Sequence, residues 1–183
     1  MRAVIQRVTS AAVDVGGARV GAIGPGLLVL VGVAEGDTPK EADWLARKVL
    51  GTHLWPDPAT GKPWSVAVGG DPAKAVLLVS QFTLCGSVRR GTRPDYGKAM
   101  PGPAAQALFD GVVARVRAGV GDEPERRVAT GVFGAMMEVR RRLRGGRVGE
   151  VGPAVRARAR AWWPFFLLSH LTHAPCPHTP AHT

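Results

Sequence analysis

Histidine is nearly missing from the first three quarters of this chain. Residues 1–139 hold one, His53, and the other four follow Ser169. That stretch therefore offers no Cys/His, Ser/His/Asp or zinc-ligand constellation, which excludes the usual nucleophile–base pair and a metal centre there. Cysteine is equally scarce. Cys85 and Cys176 are too few for a disulfide framework, which indicates a reducing compartment. The longest late apolar run, Ala161 to Leu168, contains Pro164 and is far too short to span a bilayer, so no membrane partner is expected. The N-terminus reads directly as a strand and not as a charged and then apolar leader, and the expected location is the cytoplasm. No internal repeat is evident.

Acidic residues are also few, at 14 against 24 Lys and Arg, for a net charge of +10. From Arg140 onward eight arginines against the single acid Glu150 give +7, and +10 less +7 leaves +3 for residues 1–139. The body is only mildly basic, and the strong charge belongs to the tail. At 183 residues the length fits one domain with a sizeable core.

The alternation over residues 2–8 predicts a first strand. Ala11 to Val15 and Ala18 to Ile23 flank Gly16-Gly17, a hairpin signal. Leu27 to Val33 is a continuous apolar run, expected as a central strand covered on both faces. Thr38 before Pro39, with Glu41 three residues on, is a capping box opening a helix whose stripe is Ala42, Leu45, Ala46, Val49 and Leu50. Residues 55–70 are turn-rich and expected as an exposed connection. A second helix repeats Ala105, Leu108, Phe109, Val112, Val113 and Val116 and closes at Gly119 to Gly121. Arg127 to Val139 reads as a strand broken by Gly131 and Gly134. The expected fold class is α/β, a mixed and largely antiparallel sheet packed with two main helices.

Val76-Leu77-Leu78-Val79 turns polar at Ser80-Gln81-Phe82-Thr83-Leu84, and Cys85-Gly86-Ser87 then begins a loop. Two hydroxyls and an amide at the mouth of a core strand can hold a polar substrate on a rigid support. The alternative is a strand end whose polar groups merely satisfy neighbouring backbone.

Five blocks in order resemble the D-aminoacyl-tRNA deacylase family: Met1 to Val8, Gly24 to Val33, the Ser80 to Leu84 pentad, Arg89-Arg90-Gly91-Thr92-Arg93-Pro94, and Thr130 to Ala135. They cover residues 1 to about 139. The resemblance implies a homodimer without metal or cofactor that hydrolyses the ester joining a D-amino acid, or glycine, to the terminal adenosine of tRNA. It marks Ser80, Gln81, Phe82 and Thr83 as catalytic. It assigns Phe133, Gly134, Ala135 and Met137 to the adenosine end, with Met136 where an Asp is usual, and Arg7 to fixing a Gly-cis-Pro loop from the partner. It sets Arg89, Arg90, Arg93 and Lys98 against tRNA phosphates. Without the resemblance, Phe133 reads equally as a core residue, and the arginines as solvated.

An aminoacyl ester is already labile, so a missing base does not exclude catalysis. Backbone N–H groups around Phe82 and Thr83 can bind the carbonyl oxygen while the ribose hydroxyl beside the ester activates water. Thr83 as direct nucleophile is the alternative, and lacks an adjacent base.

The family's second motif, Asn-x-Gly-Pro-Val-Thr, is not intact. Gly145-Gly146 stand where Gly-Pro is expected, and Gly152-Pro153 occur seven residues later. Either an insertion displaced the motif to Gly152-Pro153, or residues from about 140 derive from another reading frame or an alternative exon. The second is favoured, because the Arg/Ala/Gly/Pro bias is what GC-rich codons give out of frame. The chain is accordingly divided into a catalytic domain, 1–139, and a divergent tail, 140–183. His170, His173, Cys176, His178 and His182 have a spacing that could be drawn as a zinc site, but nothing pre-organises the segment and chance composition is the better account. Trp162-Trp163-Pro164-Phe165-Phe166 suit either a covered dimer surface or an aggregation-prone stretch. Rival expectations are a nucleic-acid-binding relative without proofreading and, more remotely, a peptide or small-molecule amidase.

Overall fold

A computed structural model describes residues 1–89, 91–143, 148–151 and 168–169. The apolar alternation of the first third becomes β1 (Arg2–Val8), β2 (Ser10–Val15), β3 (Ala18–Ile23) and β4 (Gly26–Gly32). Gly16 and Gly17 make the β2–β3 turn at φ +57° and +81°, values costly for any side chain. Helix α1 (Pro39–Gly51) opens on the expected capping box. Thr38 Oγ1 accepts from the Lys40 amide at 3.3 Å, and Glu41 accepts from the Thr38 amide at 2.8 Å. Such a cap contributes about 1 kcal/mol.

The expected exposed connection over 55–70 holds for most of residues 56–64 and fails at its ends. His53 to Gly70 include β5 (His53–Trp55), β6 (Val66–Ala67) and a 3-10 turn whose Val68 is fully buried against α1. Next come β7 (Ala75–Ser80), the pentad's 3-10 turn (Phe82–Cys85), α2 (Gly102–Gly119) and the short α3 (Pro124–Arg127). The expected single broken strand from 127 to 139 is two strands, β8 (Val128–Thr130) and β9 (Met137–Arg142), in different sheets. The last described strands are β10 (Val148–Val151), paired with β9, and β11 (Leu168–Ser169), paired with β1.

The expected α/β class with a mixed sheet and two main helices holds, and a second, antiparallel sheet is added to it. The mixed sheet is five-stranded, ordered β11-β1-β4-β7-β8, with β4 parallel to β7 and β7 parallel to β8. The antiparallel sheet is ordered β10-β9-β2-β3. Helices α1 and α2 cover the outer face of the five-stranded sheet, so the molecule has three layers. Alternation on β4 and β7 sorts the core. Leu27, Val29, Val31, Val76 and Leu78 face the helices, whereas Leu28, Leu30, Leu77 and Val79 face Val13 and Val139 of the second sheet. Each such buried Leu or Val contributes about 1.5–3 kcal/mol.

Arg127 is 7% exposed and is satisfied by main chain alone, donating to the carbonyls of Val68 (2.9 Å), Asp71 (2.9 Å), Lys74 (3.1 Å) and Val120. It ties the buried 3-10 turn to the end of α2. No helix among the described residues is long and apolar enough to cross a membrane.

Candidate active site at the carboxyl ends of two parallel strands

The parallel strands β4 and β7 both end at one rim of the five-stranded sheet, where an α/β architecture most readily opens a cleft. A cleft of about 490 Å³ opens there. The strand ends supply Val31, Val33, Val79 and Ser80, and Gln81 to Thr83 form one wall. Ala99, Met100, Gly102 and Ala105 form the floor near the start of α2, and Phe133 to Met137 with Val139 face the pentad. The two segments singled out in the sequence, fifty residues apart, thus share one cavity.

The pentad's turn is fixed by main chain. Gln81 N–H donates to the Val31 carbonyl at 2.7 Å, Leu84 N–H to that of Gln81 at 3.2 Å, and Gly86 N–H to that of Thr83 at 3.0 Å. The Leu84 bond closes the turn, so the Phe82 and Thr83 amides have no acceptor inside it. Gln81 Nε2 donates to Thr83 Oγ1, orienting that hydroxyl. Ser80 and Thr83 are half-buried. The Phe82 ring is 58% exposed and meets Tyr96 edge to face at 5.2 Å and 73°.

No Asp, Glu, Lys, Arg or His side chain lines the cleft among the described residues. A base for the Thr83 hydroxyl is missing from that wall, and so is a set of metal ligands; no metal-ligating cluster occurs among the described residues. The nearest ionisable group in sequence, Cys85, is buried with its Sγ 3.4 Å from the Val33 carbonyl, and burial raises its thiol above the ordinary range. It is therefore inert packing.

Phe133 is half-buried, lines the cleft, and packs on Phe109 with ring centroids 5.9 Å apart at the edge of the core. Met136 is 73% exposed on the lip. Arg7 does not line the cleft; its Nη1 donates to the Leu54 carbonyl at 2.7 Å. Arg89, Arg93 and Lys98 are exposed and enter no ion pair among the described residues, on a loop pinned where Ser87 and Asp95 exchange main-chain bonds of 2.9 and 2.8 Å. Arg90, Gly152, Pro153, the Trp162 to Phe166 run and the late His/Cys group lie outside the described residues. Sequence reasoning missed Ala99, Met100 and Ala105, which carry no chemical pattern. Their only signal was position, just ahead of and within the first turn of the second predicted helix.

A family model described as D-Tyr-tRNA(Tyr) deacylase matches residues 4–146. A D-aminoacyl-tRNA deacylase of Yarrowia lipolytica is 44% identical over 143 residues, covering 76% of this chain and 88% of that protein. One from Anaeromyxobacter dehalogenans is 48% identical over 140 residues, with the same two coverages of 76% and 88%. Among solved structures, the c-Myc DNA unwinding element binding protein aligns at 37% identity with a TM-score of 0.71, covering 85% of this chain and 100% of that one. A probable eukaryotic D-amino acid tRNA deacylase shares the fold at 19% identity, with a TM-score of 0.66 and coverages of 82% and 98%.

Proposed function

The chain belongs to the D-Tyr-tRNA(Tyr) deacylase family, and on that premise we propose that it is an ester hydrolase that releases D-amino acids from D-aminoacyl-tRNA as a proofreading step of translation. The observation that carries this is the meeting of Gln81 to Thr83 with Phe133 to Met137 across one cleft. The ester carbonyl lies against the Phe82 and Thr83 amides, which take up the negative charge as water attacks. A donor in that role is worth about 10²–10³ in rate. The neighbouring ribose hydroxyl positions the water, and the bond to the other ribose oxygen breaks. Gln81 and Ser80 order the pocket, and Thr83 acts as an oriented hydroxyl in place of a nucleophile. Phe133 offers its face to the terminal adenine, with Gly134, Ala135 and Met137 beside it. Arg89, Arg90, Arg93 and Lys98 meet acceptor-stem phosphates.

Rejection of L-amino acids needs an obstacle where their side chain would lie, because both enantiomers carry the same groups. Glycine has no side chain, so glycyl-tRNA is also a substrate in this reading. The protein works in the cytoplasm as a homodimer. Phe82, Val132 and Met136, exposed around the cleft, form an apolar rim that a second copy can cover, Arg7 helping to hold the partner's loop. Gly152-Pro153 are the candidates for that loop, and residues 140–183 are an appended tail to a 1–139 catalytic unit. A second reading, a nucleic-acid-binding relative with proofreading lost, is favoured by one feature: Gly145-Gly146 stand in place of Gly-Pro.

Incubation with D- and L-aminoacyl-tRNA separates the readings. Release of the D-amino acid alone is expected. Release of both marks lost chiral rejection. Tight, salt-sensitive binding without release overturns the hydrolase reading in favour of the second.

A further inference from the structure

The amides at the start of the pentad's turn are only as well aimed as the turn is held, and its closing end is held by a side chain from another strand. In the β1–β4 ladder Arg2 stands directly opposite Gly32. Opposed residues of an antiparallel pair project to the same face. At Gly32 that face is where the turn packs, since a Cβ there would lie 2.9 Å from Leu84 Cβ, 3.0 Å from the Gln81 carbonyl oxygen and 3.2 Å from Cys85 Sγ. The absent side chain lets the turn lie directly on Gly32. On that same face the half-buried Arg2 donates from Nη1 to the Leu84 carbonyl at 2.8 Å.

The Leu84 carbonyl belongs to the residue whose N–H closes the turn on Gln81. Arg2 enters no ion pair among the described residues and does not line the cleft. A charge-assisted bond to a main-chain carbonyl is stronger than a neutral one and fixes direction as well as distance. We propose that Arg2 is a positioning residue: by gripping the Leu84 carbonyl of the turn that packs on Gly32, it sets the angle at which the Phe82 and Thr83 amides face the ester. The inference rests on the hydrolase reading above and would act on turnover more than on substrate binding, because no Arg2 atom meets substrate.

Steady-state and single-turnover hydrolysis of D-aminoacyl-tRNA by the full chain and by Arg2→Met, Arg2→Lys and Arg2→Gln tests it. Arg2→Met is expected to lose about tenfold to a hundredfold in kcat, as small misplacements of a reacting group do, with KM unchanged within about twofold. Arg2→Lys, which keeps charge and donor, recovers part of that loss. Should Arg2→Met fail to give the wild-type circular dichroism spectrum, Arg2→Gln, which keeps an N–H donor, is read in its place with the same direction expected. Wild-type kcat in whichever of these two folds overturns the inference alone, and so does a loss confined to KM. A wild-type protein that releases no amino acid overturns the hydrolase reading and this inference with it.

Discussion

The two walls of the cleft are built on opposite terms. One rises from the five-stranded sheet, whose β4 is buried along its whole length and whose β7 is buried from Val76 to Val79. The other leads into β9, where buried and exposed residues alternate and Met136 stands largely in solvent at 73% exposure. Among the described residues, the polar side chains of the cleft, Ser80, Gln81 and Thr83, stand on the first wall. The second is apolar apart from its main chain. In the proposed reading, chemistry that depends on aimed amides sits on the more deeply buried sheet, and the wall that receives the terminal adenosine ends in an exposed lip at Met136.

The largest test of that contrast is a pair of truncations. Leu78→Ala, on β7 facing the helices, is expected to cost about 2–5 kcal/mol in urea unfolding. Met136→Ala is expected to change stability by no more than about 0.5 kcal/mol, and to alter KM instead. Equal losses from both would remove the distinction between the walls. Next in size is Gly32→Ala. Its methyl would press on Leu84 and the Gln81 carbonyl, and overpacking of that kind costs about 1–3 kcal/mol. Here kcat is expected to fall with KM held, and an unchanged kcat would mean that the turn's position does not govern turnover.

Much of the rigid wall was legible in the sequence, and for a clear reason. Short Val- and Leu-rich runs bounded by turn residues, such as Leu27 to Val33 and Val76 to Val79, read as buried strands, and the Thr38–Glu41 capping box fixes the start of α1 within a residue. The second wall was less legible. A period of two tells which face a residue occupies but not which sheet its strand joins, so β8 and β9 read as one strand interrupted by Gly131 and Gly134. Residues 55–70 read as exposed because Pro and Gly turns punctuate them, and their one fully buried side chain, Val68, is a single apolar position. Among the site residues, Phe133 to Met137 came from family resemblance, since nothing in their spacing announces a pocket. Arg2 was invisible at that level, because its role appears only when register sets it opposite Gly32.

Two smaller effects sharpen the comparison away from the cleft. Arg89→Gln with Arg93→Gln is expected to weaken tRNA binding and to reduce the slope of log affinity against log salt by about one for each phosphate no longer neutralised, with kcat intact. An unaltered slope would place the acceptor stem elsewhere. The smallest concerns β2 of the second sheet. The Arg19 guanidinium, hydrogen-bonded to the buried Asp14, holds that carboxyl below its ordinary range, with Arg140 at 3.5 Å adding to the effect. Because the folded value is depressed, this stabilisation is present above the ordinary carboxylate value of about 4 and fades as pH falls through the folded value. Asp14→Asn is therefore expected to lower Tm at pH 7, the difference from wild type shrinking below about pH 4. A constant difference across that range would show that packing, and not charge, holds Asp14.

The most direct measurement is a structure with a non-hydrolysable D-aminoacyl-adenosine bound, its ester replaced by an amide. The expected result is the aminoacyl carbonyl oxygen within about 3 Å of the Phe82 and Thr83 main-chain nitrogens, the base stacked on Phe133, and Thr83 Oγ1 still held by Gln81. An acyl carbon lying against Thr83 Oγ1, its oxygen turned away from both amides, would contradict the account.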